Sequence, residues 1–193
     1  MNTKSMDSDS FLNHLSDLFA THEAKGGSSQ RLSNAEHMLQ TAAAARAANA
    51  DDVLIAACLL HDIGHWLHSE PVDAMKRSQD DRHEDIGARY LAPHFADPVT
   101  RPVALHVAAK RYLCATEPDY FQKLSPASVR TLEHQGGPMD AAEIAAFQAI
   151  PDHQNAVAIR RWDEYGKVPG LDVPSFDAYR PMLRKLMTTK RSH

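Results

Sequence analysis

An apolar run, Val53–Leu60, continues without interruption into His61 and Asp62, and this junction constrains the fold more than any other feature of the chain. A segment that is apolar nearly all round is expected to form a central helix covered by other elements. Burying a carboxylate beside an imidazole costs free energy unless something compensates both groups. The pair could satisfy itself at the helix end, or a metal ion could bind both side chains. We predict metal binding, which requires further ligands from neighbouring helices.

The rest of the sequence shows helical periodicity almost throughout, and no segment shows the alternation typical of a strand. Capping and turn residues divide it into separate helices. The expected helices run from Asn34, as N-cap, to about Ala50, over His83–Leu91, from Asp97 to about Tyr112, from Ser125 to Gly136, from Asp140 to Ile150, around Arg160–Trp162, and from Ser175 with an interruption at Pro181. We therefore predict an all-α, irregular helical bundle in one domain, 1–193, with a variable N-terminal segment, 1–30, and a core of about 31–190.

Composition and charge exclude several classes of protein. The 193-residue chain has a formal net charge of −4 and no cluster of Lys or Arg, which argues against nucleic acid or an anionic membrane as a partner. The apolar runs are too short to span a bilayer, and the polar start MNTKSMDSDS lacks the apolar core of a signal peptide. Cys58 and Cys114 are too few for a disulfide framework, and Cys58 is expected to be a buried thiol. We expect a cytoplasmic protein with a small-molecule partner, and we make no prediction of oligomeric state.

The chain has twelve histidines, several of them inside helical patterns where helix propensity does not favour them. One helical histidine alone is more often a satisfied or surface residue than a ligand. An ordered series of histidines and aspartates is stronger, because it supplies enough nitrogen and oxygen ligands for two metal ions. These ligand types suit iron, manganese or zinc, and the absence of Cys argues against a closed structural zinc site. The expected metal ligands are His37, His61, Asp62, His83, His106 and Asp163. The histidines expected at the surface are His14, His22, His68, His94, His134, His153 and His193.

The ordered ligands resemble those of the HD-domain superfamily, most of whose members are metal-dependent phosphohydrolases. His83 and His106 extend the minimal pattern to the dinuclear version. The runs HVAAKRYL, LSPASVRTLEHQGGPMD and RRWDEYGK further resemble the HD-domain mixed-valent di-iron oxygenases of phosphonate catabolism. This similarity covers the chain from about Asn34 to Lys167, and these runs are not general HD-domain features.

The resemblance implies two iron ions, Fe(II) and Fe(III), with O₂ as cosubstrate. It implies that His37, His61 and Asp163 hold one iron, that His83 and His106 hold the other, and that Asp62 bridges them. The expected catalytic residues are His65 and Lys110. The residues expected to bind the phosphonate are His65, Lys110, Ser128, Thr131, Gln135 and Arg160. The implied reaction is oxidative cleavage of the carbon–phosphorus bond of a 1-hydroxy-2-(amino or trimethylammonio)ethylphosphonate to phosphate and glycine or glycine betaine.

The segment before His37 departs from the family pattern. Members that act on the aminophosphonate have a Tyr and a Glu there, whereas AKGGSSQRLSN contains neither. Gln30 falls near the Glu position, and Glu23 could take its place only if the loop folds differently. A trimethylammonio group donates no hydrogen bond and prefers aromatic faces. We therefore expect the trimethylammonio substrate rather than the primary amine. The available aromatic residues are Trp66, Tyr112 and Tyr165.

Two other functions fit parts of the pattern. The ligand set alone also suits a phosphohydrolase acting on a nucleotide or a phosphate monoester through a metal-activated water. A catalytically inactive HD domain that serves as a binding module is the third possibility, and it is disfavoured because every ligand position is filled.

Overall fold

Helices make up nearly all the regular structure of the computed structural model, which describes residues 6–25, 32–67 and 82–188. The predicted all-α class is confirmed, because within these ranges the one extended pairing is an isolated antiparallel bridge between Phe95 and Met187. None of the helices in the described ranges is long and apolar enough to cross a membrane. The helices are α1 (Ser8–Lys25), α2 (Asn34–Ala47), α3 (Asp52–Leu60), α4 (His83–Leu91), α5 (Asp97–Thr116), α6 (Tyr120–Lys123), α7 (Pro126–His134), α8 (Ala141–Gln148), α9 (His153–Tyr165) and α10 (Arg180–Leu186).

The apolar run forms α3, which lies at the centre of the bundle against α2, α5, α9 and α10. The carboxylate of Asp51 caps its first turn by accepting a hydrogen bond from the amide of Leu54 at 2.8 Å. Its residues from Ile55 to Leu60 are all buried. The helix ends at Leu60, and the chain passes through His61 and Asp62 into the 3-10 turn Ile63–Trp66. The buried end of an apolar helix therefore delivers a histidine and an aspartate into the interior.

Gly64, in this 3-10 turn, permits a close approach between two segments. A Cβ atom at this position would lie 1.9 Å from the carbonyl oxygen of His83 and 3.0 Å from the amide nitrogen of Gly87. Only glycine leaves room for the start of α4 at this distance. The contact brings His83 next to His61 and Asp62.

The helix starts follow the expected capping chemistry with small shifts. Ser33, rather than Asn34, is the N-cap of α2, and it forms a capping box with Glu36. Two adjacent polar residues made this boundary ambiguous in the sequence. The predicted capping box of Asp140 and Glu143 opens α8. Helix α5 extends to Thr116, beyond its expected end, and the last helix is split into the 3-10 turn Phe176–Tyr179 and α10, which has Pro181 in its first turn.

Two parts of the fold were not anticipated from the sequence. Helix α1 packs Phe11, Leu12, Leu15 and Phe19 into the main core, whereas we predicted no element before Asn34. The short helix α6 was not predicted either.

One histidine expected at the surface is buried. The expectation for His94 was wrong: it is 3% exposed and stacks on the ring of Phe11, with 3.7 Å between the ring centroids. His22 is half-buried and stacks on Trp66 in the same way. Both packing partners come from distant parts of the chain, so the local sequence pattern did not show them. His68 and His193 lie outside the described residues.

Candidate metal centre and substrate cavity

The six expected metal ligands meet at one place inside the bundle, although they come from five different parts of the chain. Asp62 lies in the middle of them. Its Oδ1 is 3.5 Å from Nε2 of His61 and 3.4 Å from Nε2 of both His83 and His106. Its Oδ2 is 3.9 Å from Nε2 of His37. We call these residues the metal centre: His37, His61, Asp62, His83, His106 and Asp163.

The metal centre contains two groups that could each hold an ion, and Asp62 belongs to both. The first consists of His37, His61 and Asp62, and the second of Asp62, His83 and His106. In each group the ligand atoms lie within 4.8 Å of one another. Asp163 lies on the side of the first group, with Oδ1 3.2 Å from Nε2 of His37 and Oδ2 4.0 Å from Nε2 of His61. The arrangement offers ligands for two adjacent cations.

Backbone carbonyls orient three of the imidazoles. The Nδ1 atoms of His61 and His106 donate to the carbonyls of Cys58 and Val103, each at 2.8 Å and one turn earlier in the chain. The Nδ1 atom of His37 donates to the carbonyl of Gly166 at 2.6 Å. Because a carbonyl only accepts hydrogen bonds, each Nδ1 carries the proton and each Nε2 presents a lone pair to the centre.

One of these lone pairs has no hydrogen-bond partner. Nε2 of His61 is fully buried and finds none among the described residues. A buried polar atom without a partner is costly and calls for an explanation, such as a bound ion. Nε2 of His83 and Nε2 of His106 also lie only 3.1 Å apart. Several imidazole nitrogens that converge on one buried point in this way fit a metal ion.

The protonation states suit cation binding as well. Burial lowers the pKa of His37 and His106 and lowers that of His61 strongly. Burial alone would raise the pKa of Asp62, but His61, His106 and His83 together hold it well below its usual range. Neutral imidazoles around an ionised carboxylate are the forms in which these side chains bind metals.

Gly166 controls the position of His37, and the sequence analysis missed it. A Cβ atom at this position would lie 2.4 Å from Oγ1 of Thr41 and 3.1 Å from the carbonyl oxygen of His37. Glycine therefore allows the end of α9 to touch α2, where its carbonyl reaches the imidazole. Gln40 holds Val168, two residues after Gly166, by donating to its carbonyl at 2.7 Å and accepting from its amide at 3.0 Å.

A cavity of about 440 Å³ opens onto the metal centre. All six residues expected to bind the phosphonate line it: His65, Lys110, Ser128, Thr131, Gln135 and Arg160. Lys167 and His134 also line it, and the sequence analysis proposed neither for the site. Lys167 follows the end of α9 and lies four residues after Asp163, so its closeness in sequence to that expected ligand was a signal that could have identified it.

Three cations and three polar side chains form one face of this cavity, which we call the cationic wall: Lys110, Ser128, Thr131, Gln135, Arg160 and Lys167. Lys110 donates to Thr131 at 2.9 Å. Arg160 and Lys167 donate to the hydroxyl of Ser128 at 3.2 and 3.1 Å.

Two groups of the cationic wall are left to interact with a ligand: the Lys110 ammonium, whose charge a bound anion would stabilise, and the Gln135 amide oxygen, which can only accept a hydrogen bond, as from a ligand hydroxyl. Burial, together with the nearby charge of Arg160, lowers the pKa of Lys110 to about 7. Oε1 of Gln135 is buried and has no hydrogen-bond partner among the described residues.

The three aromatic residues considered for an ammonium group lie elsewhere. Trp66 packs on Phe19 and His22, and Tyr112 packs on Phe147. Tyr165 is 73% exposed. None of the described residues that line the cavity is Phe, Tyr or Trp, and its carboxylates are Asp62 and Asp163, both in the metal centre. Glu23 is exposed and does not line it, and Gln30 lies outside the described residues.

Comparison with known proteins agrees with this geometry. Residues 34–165 match the HD domain family. The chain is 50% identical over 145 residues to hydroxymethylphosphonate dioxygenase of Gimesia maris, covering 75% of this chain and 72% of the relative. It is 42% identical over 153 residues to the glycine-betaine-forming [1-hydroxy-2-(trimethylamino)ethyl]phosphonate dioxygenase of Leisingera caerulea, covering 79% and 78%. The matched region contains the metal centre and most of the cavity, and the chain belongs to the HD-domain family and, within it, to the phosphonate dioxygenases.

Proposed function

We propose that this protein is a di-iron dioxygenase that cleaves the carbon–phosphorus bond of a 1-hydroxyphosphonate with O₂. The observation that carries the proposal is a single cavity in which the metal centre faces the cationic wall. A metal centre alone suits many HD-domain reactions. A cationic wall beside it selects a substrate with an anionic group that lies next to the reacting atoms.

In this proposal His37, His61 and Asp163 hold one iron, His83 and His106 hold the other, and Asp62 binds both. The support is the shared position of Asp62 and the unpartnered Nε2 of His61. Bound iron, as an Fe(II)/Fe(III) pair, supplies the reaction with O₂ that no amino-acid side chain can perform. The residues themselves fix the ligand geometry and keep the imidazoles neutral.

The cationic wall would bind the phosphonate. A dianionic phosphonate needs several donors, and charge-assisted hydrogen bonds from Lys and Arg are about twice as strong as neutral ones. Lys110, Arg160 and Lys167 supply the charge, while Thr131 and Gln135 add polar contacts. His65 stacks on His83, with 3.9 Å between the ring centroids, and lines the same cavity. The wall would hold the hydroxylated carbon toward the metal centre.

The cavity also favours one kind of substituent on the hydroxylated carbon of the substrate. An ammonium group is best held by the face of Phe, Tyr or Trp or by an unused carboxylate, and the described lining contains neither. The segment 26–31, which precedes the lining residue Leu32, has no acidic or aromatic residue in its sequence. We therefore infer a substrate with a small uncharged substituent, for which hydroxymethylphosphonate is the simplest case. One O₂ would then convert it to phosphate and formate, with all atoms balanced.

The test is to measure phosphate release by the iron-loaded, partly reduced protein with and without O₂. The substrates are hydroxymethylphosphonate, the primary amine, its trimethylammonio analogue and a phosphate monoester, at matched concentrations. We expect O₂-dependent release, fastest from hydroxymethylphosphonate, and a coupled Fe(II)/Fe(III) signal in the EPR spectrum. Release from the monoester without O₂ would instead show a phosphohydrolase, and faster release from either ammonium compound would overturn the inferred substituent.

A further inference from the structure

We propose that Glu164 is a positioning residue that holds the donors of the cationic wall in place for the phosphonate. The inference rests on the function proposed above, because it assigns that wall to anion binding. Glu164 is absent from the residues that line the cavity. It lies behind them, on α9.

One carboxylate connects three donors of the wall. Oε1 of Glu164 accepts hydrogen bonds from Arg160 and from the hydroxyl of Ser128, the latter at 3.2 Å. Its Oε2 accepts from the ammonium of Lys167 at 2.9 Å. Arg160 lies on α9 and Lys167 follows the end of that helix, whereas Ser128 comes from α7. Glu164 therefore ties together the two helices that carry this part of the wall.

The charges of the wall explain why such a residue is needed. Lys110, Arg160 and Lys167 lie around one small cavity and repel one another, and Arg160 contributes to the lowered pKa of both lysines. Buried charges are costly unless they are paired. Asp163 also pairs with Arg160, but in the proposed function its charge is shared with a metal ion. Glu164 remains as the carboxylate that can offset the repulsion without occupying the cavity.

The side chain of Glu164 is only 11% exposed, so solvent does little to screen its ion pairs with Arg160 and Lys167. The phenol of Tyr120 accepts a hydrogen bond from Nε of Arg160 at 3.0 Å and completes the support of that guanidinium.

The experiment compares Glu164→Ala and Glu164→Gln with the wild type in the metal-loaded protein. The readouts are the affinity for inorganic phosphate by calorimetry, KM and kcat with the hydroxyphosphonate, iron content and Tm. We expect Glu164→Ala to weaken phosphate binding and raise KM roughly tenfold to a hundredfold, as for a lost charge-assisted contact, with kcat and iron content little changed. Glu164→Gln keeps an acceptor oxygen, so its phosphate affinity and its KM should lie between those of Glu164→Ala and the wild type.

Glu117→Ala is the matched control, because Glu117 pairs with the exposed Arg161 next to Arg160 on the same helix. It should leave KM and phosphate affinity unchanged. If both Glu164 variants bind phosphate as tightly as the wild type, or more tightly, the positioning role is overturned. Glu164→Gln decides the question if Glu164→Ala does not fold. Phosphate binding requires no turnover, so weakened binding in a protein that oxidises no hydroxyphosphonate would reject the proposed reaction while supporting the positioning role.

Discussion

The metal centre and the cationic wall share one cavity, yet their side chains are held in different ways. In the metal centre, backbone carbonyls orient His37, His61 and His106, and two of those carbonyls lie one turn away on the same helix. In the cationic wall, side chains from different helices orient one another, as Ser128 does for Arg160 and Lys167. The first arrangement depends on backbone geometry, and the second depends on the balance of charges.

This difference predicts different responses to substitution. Changes that move a backbone carbonyl or remove a shared ligand should reduce metal content, whatever the ionic conditions. Changes in the wall should leave the metals in place and weaken anion binding, in a manner that depends on pH.

Asp62→Ala should abolish metal binding beyond a trace. Asp62 is the one residue common to both groups of potential ligands, so its loss removes a ligand from each. Iron content per chain, measured after loading and desalting, checks the prediction. Asp172→Ala, at an exposed position, is the control. Two retained irons per chain in Asp62→Ala would show that the residue does not bind both ions.

Gly166→Ala should reduce metal affinity about tenfold to a hundredfold, the range seen when a residue that orients a metal ligand is changed. The added methyl would collide with Thr41 and with the backbone of His37, and would move the carbonyl away from the imidazole. Metal dissociation measured with a competing chelator checks this. Gly170→Ala is the matched control, since a Cβ atom there meets nothing within 4 Å. Its positive φ of 73° costs stability only, about 1 kcal/mol, with no change in metal affinity. Equal chelator kinetics for both variants would contradict the role of Gly166.

Lys110→Met should keep the iron and raise KM for the hydroxyphosphonate. The ammonium is buried and donates to Thr131, so its loss should cost about 1.5 to 3 kcal/mol of substrate affinity. Methionine preserves most of the volume of the side chain. Steady-state kinetics measure the change in KM, and iron analysis shows whether the metal is retained. An unchanged KM would place the phosphonate away from this part of the wall.

Sulfate binding should weaken as the pH rises through about 7. The pKa of Lys110 is lowered to about 7, so its ammonium is charged below that pH and loses its charge above it. Sulfate stays dianionic throughout, and any change in affinity therefore reports the protein. Lys110→Arg should show a flatter profile, because arginine keeps its charge. Calorimetry on both proteins between about pH 6 and 9 tests this smallest effect. Parallel profiles would assign the pH dependence to another group.

The sequence by itself predicted the helical class, which the structure confirms, and six candidate metal ligands, which the structure brings together. Apolar periodicity with capping residues is a local property, so α3, α4 and α8 were placed correctly. His61 and Asp62 could be proposed as ligands from the sequence because they interrupt a pattern that would otherwise be apolar. A resemblance to phosphonate oxygenases pointed to Lys110 and Arg160, and the structure brings both to the cavity.

Only the tertiary structure decided which residues support the site. Gly166 acts through α2, more than a hundred residues away in the chain, and Glu164 acts through a serine on α7. The local sequence around Gly166 and Glu164 does not show which distant residues they contact. His94 was misplaced for the same reason, since its burial depends on Phe11 of α1. Periodicity shows which face of a helix is polar, but the partner of that face is set by how the helices pack.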